Sequence, residues 1–191
     1  MRHNAVRDTT AKLLTEVCKD IKVEPCLLPV TGEDLPTGSN VADGARSDVS
    51  ALSFWSPLCR AFFDIKVFNP LAQTNWTKEI STMHTFHEKL KKVEYNERIL
   101  QIEKGSFTPL VFSCFGGAAP EAEKFTKNLS RMISEKRDTP YSQVVSFIRR
   151  RIRFDIFRSC TVALRGERGN GKQFESEISD LDVHLVKLGH E

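Results

Sequence analysis

Asp48, Asp64 and Lys66 are the residues of this chain whose types and spacing could do chemistry. The run Ala61-Phe62-Phe63-Asp64-Ile65-Lys66-Val67-Phe68 is apolar on both faces of a strand, yet it carries two charges two residues apart. Successive strand side chains alternate faces, so Asp64 and Lys66 point the same way. A strand apolar enough to lie within a sheet rarely holds bare charges, because burying them is costly unless they are paired or hold a metal. Arg46 to Phe54 also reads as strand, and Ser56-Pro57 breaks the run between the two where a turn should fall. Folded back about that turn, position 48 lies opposite 64 to 66, with opposed Cβ atoms about 5 Å apart. Two carboxylates at that separation can share a divalent cation with a lysine beside them. Hard oxygen ligands suit Mg²⁺, with Mn²⁺ as a substitute, which keeps several waters and takes phosphate oxygens to complete its shell. Such a cation would polarise a phosphodiester and acidify a bound water that Lys66 orients or activates. The bland alternative is a structural salt bridge among the same three side chains.

The spacing of an Asp followed by Asp-Ile-Lys resembles the PD-(D/E)XK nuclease superfamily, with Ser47 where that motif usually has proline. A longer resemblance covers about residues 2 to 172. Its segments, in order, are Arg2-His3-Asn4 with Arg7-Asp8, LLTEVC, VEP, PVTGE, DGARSDV, FFDIKVFNP, GSFTPLVFS and FGG. Together they look like the carboxy-terminal part of reverse-transcriptase-bearing mobile elements of invertebrate animals. That part is similar to the restriction-enzyme-like endonuclease of site-specific non-LTR retrotransposons.

The resemblance implies a Mg²⁺-dependent DNA endonuclease that nicks target DNA to prime reverse transcription. It makes Asp48 and Asp64 metal ligands, Lys66 the catalytic lysine and Glu16, on the first helix, a third carboxylate. It also sets Arg2 and His3 near the DNA, implies a reverse transcriptase domain in the parent polyprotein, and suggests an intracellular, nuclear setting. A Cys/His zinc knuckle commonly precedes the Arg-His-Asn segment in such elements, and neither it nor a polymerase occurs within these residues. Glu16 lies beside the helix's apolar stripe and would serve equally as a solvated surface group. Two other readings stay open: a degenerate nuclease fold kept as a DNA-binding module, and an inert fragment of a mobile-element polyprotein.

The elements that must position these groups follow from periodicity. A chain of 191 residues, 40% apolar and 28% charged, is long enough for one domain with a proper core. Asn4 can cap a helix to about Asp20, with Val6, Thr10, Leu13, Leu14, Val17 and Ile21 at helical spacing. Lys22 to Val30 reads as a short strand, and Thr31 to Gly44 as a loop. After the hairpin, a helix is expected from about Lys78 to Glu97, with Ile80, Met83, His87, Leu90 and Val93 on one face. Arg98 to Glu103 and Thr108 to Phe115 read as two strands, or as one strand broken at Gly105-Ser106. Helices follow from Pro120, with Ala122, Phe125, Leu129, Met132 and Ile133 facing inward, and from Pro140 to about Arg158 or beyond, where Val144, Val145, Ile148, Ile152 and Ile156 supply the buried face and Phe147, Phe154 and Phe157 add apolar area. The order predicts an α/β fold: a short mixed sheet flanked by helices, an αβββαβ core plus carboxy-terminal helices. Residues 1–165 are expected to form one restriction-endonuclease-like domain and 166–191 a flexible tail.

Charge distribution adds a DNA-facing surface. The net charge is only +3, but Tyr141 to Lys172 holds eight Lys or Arg against two acids. Arg149, Arg150 and Arg153 are candidates to clamp a DNA backbone, with Lys89, Lys91 and Lys92 able to touch phosphates. Solvated faces are the alternative in both cases. The five cysteines are widely spaced with no C-x-x-C pair, which reads as reduced, mostly buried thiols of an intracellular protein. His84 and His87 beside Glu88 lack the second histidine of H-E-x-x-H, so a packing role is expected. Gly166 to Gln173 nearly spells a phosphate-binding loop but lacks its hydroxyl. No run approaches a membrane span.

Overall fold

The computed structural model describes residues 3–73 and 79–165. The chain divides into two units, Met1–Thr161 and Val162–Glu191, and of the second only helical residues 162–165 are described. Arg2, the near-phosphate loop from Gly166 and the expected tail 166–191 lie outside the described residues.

The elements run α1 (Asn4–Thr15), β1 (Lys19–Val23), β2 (Val49–Leu52), β3 (Arg60–Phe68), α2 (Ile80–Arg98), β4 (Ser106–Ser113), α3 (Pro120–Arg137) and α4 (Tyr141–Arg165). The strands form one four-stranded sheet in chain order. β1, β2 and β3 pair antiparallel, whereas β3 and β4 pair in parallel with α2 as the crossover. The fold is therefore α/β, with a short mixed sheet flanked by helices. Among the described residues no helix is long and apolar enough to cross a membrane. All five cysteines are free thiols, but not the mostly buried ones expected: Cys26 is exposed and the other four are partly exposed.

Strand alternation divides the sheet into two faces with different tasks. Val49, Ala51, Ala61, Phe63, Ile65, Leu110 and Phe112 meet α1, α3 and α4 in the main core. Phe54, Phe63 and Phe125 form its aromatic centre, with ring centroids within 5.3 Å of one another. Every inward position expected for the last helix is buried, as are Ala122, Phe125, Leu129 and Ile133 of α3. On the other face, Phe62 and Phe107 lie against Tyr95 and Ile99, while Phe68 and Val111 lie against Met83 and Ala119. Asp64 and Lys66 belong to this second face, beneath α2.

Four expectations about the elements are corrected. α1 stops at Thr15 rather than Asp20, because Lys19–Val23 is taken into the sheet edge against β2. β1 then ends early, where Glu24 adopts a left-handed φ of 50° ahead of Pro25. The stretch 98–103 is not a strand: Arg98 closes α2, and Ile99–Glu103 form one wide π-type turn that Lys104 ends in a left-handed conformation. Gly105 then lets β4 enter beside β3, since a Cβ there would stand 2.7 Å from the Arg60 carbonyl oxygen.

The fourth correction concerns which side of α2 is buried. Ile80, Leu90 and Val93, expected inside, are about half exposed, as is Phe86. His84, Glu88, Lys91, Tyr95 and Arg98 form the inward stripe, at helical spacings of four and three. Polar groups can replace apolar ones there only when each finds a partner, and each does. His84 bridges the carbonyls of Ile80 and Gly117 at 2.9 and 3.3 Å. Glu88 Oε1 accepts from the Glu121 N–H at 2.8 Å, capping the amino terminus of α3. Tyr95 meets the Asn40 amide at 3.5 Å. Arg98, with no exposed surface, donates to the carbonyls of Leu28, Asn40 and Ala42 at 2.6 to 3.1 Å. The remaining member, Lys91, reaches Asp64.

Candidate active site

The β2–β3 hairpin sets Val49 against Phe63 and Ser50 against Phe62, so Asp48, one step further on, faces Asp64. This is the register expected from the turn at Ser56-Pro57. The Asp48 N–H donates to the Phe63 carbonyl at 3.1 Å. The Ile65 N–H donates to Asp48 Oδ2 at 2.6 Å, holding that carboxylate against β3.

Asp64 is only 6% exposed. Lys91 Nζ lies 3.1 Å from its Oδ2, but out of hydrogen-bonding alignment, and that oxygen has no other partner among the described residues. Burial pushes the Asp64 carboxyl up, Lys91 pulls it back, and the Asp48 charge raises it again, leaving it at about 6. Lys91 responds in the opposite sense. Burial works to lower its pKa, but the charges of Asp64 and Glu94 outweigh that and hold the ammonium above its usual range. Glu94 Oε2 sits 3.1 Å from Nζ on the far side. The arrangement is a half-buried, firmly protonated lysine facing a carboxylate that is poised to titrate.

Lys66 emerges on the same face two residues on, but it is exposed. His3 comes from the start of α1, its Nε2 3.7 Å from Asp48 Oδ1. Arg7, a turn later, is held by Asp8 and Glu24 and also feels the Asp48 charge.

Glu16 is not brought to this group. It lies just past the other end of α1, about 20 Å of helical rise from His3, where it pairs with Arg137 at 2.7 Å. The first helix does approach the carboxylates, but through its amino-terminal end. Among the described residues no group of three or more His, Cys, Asp or Glu side chains that could hold a metal ion is found.

The basic candidates separate as well. Lys89 is exposed, whereas Lys92 is engaged by Glu121 at 2.8 Å. Arg149 and Arg153 line a cavity of about 140 Å³ with Phe112, Gly116 and Glu123. Arg153 Nε also donates to the Gly116 carbonyl at 3.3 Å. Arg150 is exposed on α4, where its Nε donates to the Ser146 carbonyl at 3.2 Å.

Sequence reasoning grouped Lys91 with Lys89 and Lys92 as a phosphate contact and did not connect it with Asp64. The available signal was the run of polar residues at 84, 88, 91, 95 and 98, a stripe as regular as any apolar one. Compared with protein-family models and with curated proteins, the chain finds no match.

Proposed function

We propose that this chain is a divalent-cation-dependent DNA endonuclease of restriction-enzyme-like architecture, cleaving phosphodiesters at the Asp48–Asp64 pair. One observation carries the reading: the buried Asp64 carboxylate, whose Oδ2 is paired with the Lys91 ammonium, is opposed across the hairpin by a second carboxylate, Asp48. A salt bridge built only for stability gains nothing from that second acid, because like charges set opposite each other on paired strands are destabilising. The αβββαβ order, with metal-ligating candidates on the central hairpin, supports the same architecture.

Asp48 and Asp64 would hold Mg²⁺ or Mn²⁺, with water and phosphate oxygens completing the shell. When bound, the cation supplies Lewis acidity toward the phosphoryl group and a more acidic water. The protein's own part is positional. The Ile65 amide fixes the Asp48 carboxylate, and the hairpin register fixes its separation from Asp64. Lys91, being charged, acts as a donor: it orients the attacking water or stabilises negative charge on the phosphate, and does not remove a proton. Lys66, in the open, is placed to meet a backbone phosphate. We extend the reading to a mobile-element origin, in which the nick would serve a reverse transcriptase of the same polyprotein.

The two lysines make the assignment testable on supercoiled plasmid with Mg²⁺, Mn²⁺ or EDTA. Lys91→Met should slow metal-dependent nicking by about a hundredfold or more, the usual loss of one preorganised donor. Lys66→Met should cost less than about tenfold and act mainly on DNA affinity. Wild-type nicking by Lys91→Met would remove the lysine from the chemistry.

A second reading, a DNA-binding module without catalysis, is favoured by the ion pair itself, because Lys91 already offsets much of the Asp64 charge. In that case DNA affinity would fall steeply with salt, be indifferent to Mg²⁺, and be accompanied by no nicking in any metal.

A further inference from the structure

The outward face of α4 carries an unusual mixture. Phe147, Phe154 and Phe157 are 45, 52 and 55% exposed, and none belongs to an aromatic pair among the described residues. They share that face with Arg150 and Arg158, both exposed, because 147, 150, 154, 157 and 158 recur at helical spacing opposite the buried Ile148, Ile152 and Ile156. The only acid on this helix, Asp155, is turned inward, where Thr9 Oγ1 donates to it at 2.6 Å and Arg151 approaches at 3.5 Å. The outward face therefore carries arginines and phenylalanines among neutral polar residues such as Gln143 and Thr161, and no carboxylate.

A second copy of the chain fits such a surface poorly, since pairing α4 with itself would press arginines together. A duplex fits only half of it: phosphates would satisfy the arginines, but paired bases hide their faces from the phenyl rings. A single strand presents both a phosphate chain and bare base faces. Phe147 and Phe154 are separated by about 10 Å of helical rise, close to the span of three stacked nucleotides at about 3.4 Å each.

We infer that this face of α4 seats single-stranded nucleic acid, its phenylalanines stacking on unpaired bases and Arg150 and Arg158 meeting the phosphates. The inference rests on the nuclease reading and deepens it, assigning the enzyme a nucleic-acid substrate that carries an unpaired stretch.

The test uses the full chain in EDTA, so that nothing is cleaved, titrated with fluorescein-labelled dT15 and with a duplex of the same length. The dT15 strand should bind at least tenfold more tightly. Phe154→Ala should weaken dT15 binding about tenfold with the salt dependence unchanged, and Phe147→Ala should do likewise. Arg150→Gln and Arg158→Gln should each reduce the slope of log affinity against log salt by about 0.7. Equal or tighter duplex binding, or phenylalanine variants that bind dT15 as the parent does, would overturn the inference. So would variants that leave dT15 binding intact while abolishing a dimer in sedimentation or attachment to anionic vesicles. Asp64→Asn separates the two claims: loss of nicking with dT15 binding retained supports both, whereas a parent chain that nicks plasmid but does not bind dT15 removes this inference alone.

Discussion

Replacing Asp64 by asparagine is expected to do two opposite things: abolish metal-dependent nicking and make the protein more stable above neutral pH. The first effect follows from removing a ligand oxygen, and the rate should fall by about a thousandfold or more. The second follows from the environment. The carboxyl titrates at about 6 in the folded chain against 3.8 ordinarily, so the folded state binds that proton more tightly than the unfolded state does. Stability from this group is therefore full below about pH 4 and is lost as pH rises through 6. Two units correspond to about 3 kcal/mol. Asparagine, shaped like the neutral acid, avoids that loss, and the variant should gain up to about 3 kcal/mol at pH 8 and nothing at pH 3. Urea unfolding at the two pH values measures the gain. In the parent protein, nicking should weaken below pH 6, where a proton competes for the same oxygen. A variant less stable than the parent at pH 8 would mean that Asp64 is a structural anchor.

Arg98→Met should be the most damaging substitution outside the site, costing about 3–5 kcal/mol. Methionine fills much of the space, so the loss is chiefly that of a charged donor serving three carbonyls, each of which would be left partly unsatisfied. Those carbonyls belong to residues 28, 40 and 42, so the damage should concentrate in the segment between β1 and β2. Urea titration gives the total, and limited proteolysis should show cutting between residues 28 and 42 before the rest of the chain opens. Arg98→Lys keeps the charge but not the fork of donors, and should recover only part of the loss. A cost under 1 kcal/mol for Arg98→Met would show that water replaces the guanidinium without penalty.

The parts of this molecule legible in the sequence are those where periodicity and burial agree. α3 and α4 bury the aliphatic residues they carry at helical spacing, though Phe147, Phe154 and Phe157 of α4 stay about half exposed, and the proline at the start of α3 marks its first turn. The β2–β3 register could be read because a Ser-Pro break left one sensible turn. α2 defeats the same reasoning. Its apolar residues Ile80, Leu90 and Val93 form a plausible stripe, yet the helix turns them outward to seat His84, Glu88, Lys91, Tyr95 and Arg98 against polar partners far off in sequence. No periodicity within α2 reveals that Asp64, Asn40, Glu121 and three loop carbonyls await it. The same blindness explains Lys91, which is unremarkable among three neighbouring lysines until the crossover helix sets it over β3. Glu16 failed for a simpler reason. A first-helix glutamate was sought by type, whereas the helix presents its other end to the carboxylates.

The two halves of the candidate site differ sharply in how far along the chain their parts must travel. Asp48 and Asp64 meet through a hairpin closed by residues 53–59, whereas Lys91 arrives only with a parallel crossover that ends in β4. Loop closure over the longer path is slower, so in refolding the acidic pair should assemble first and stand without its counter-charge until the last strand docks. Pulse-labelled hydrogen exchange should find β2 and β3 amides protected ahead of those of β4. A partly synthesised or truncated chain would then carry a repelling pair of carboxylates with nothing to quiet it, which ties completion of the polypeptide to the electrostatic balance of its own centre.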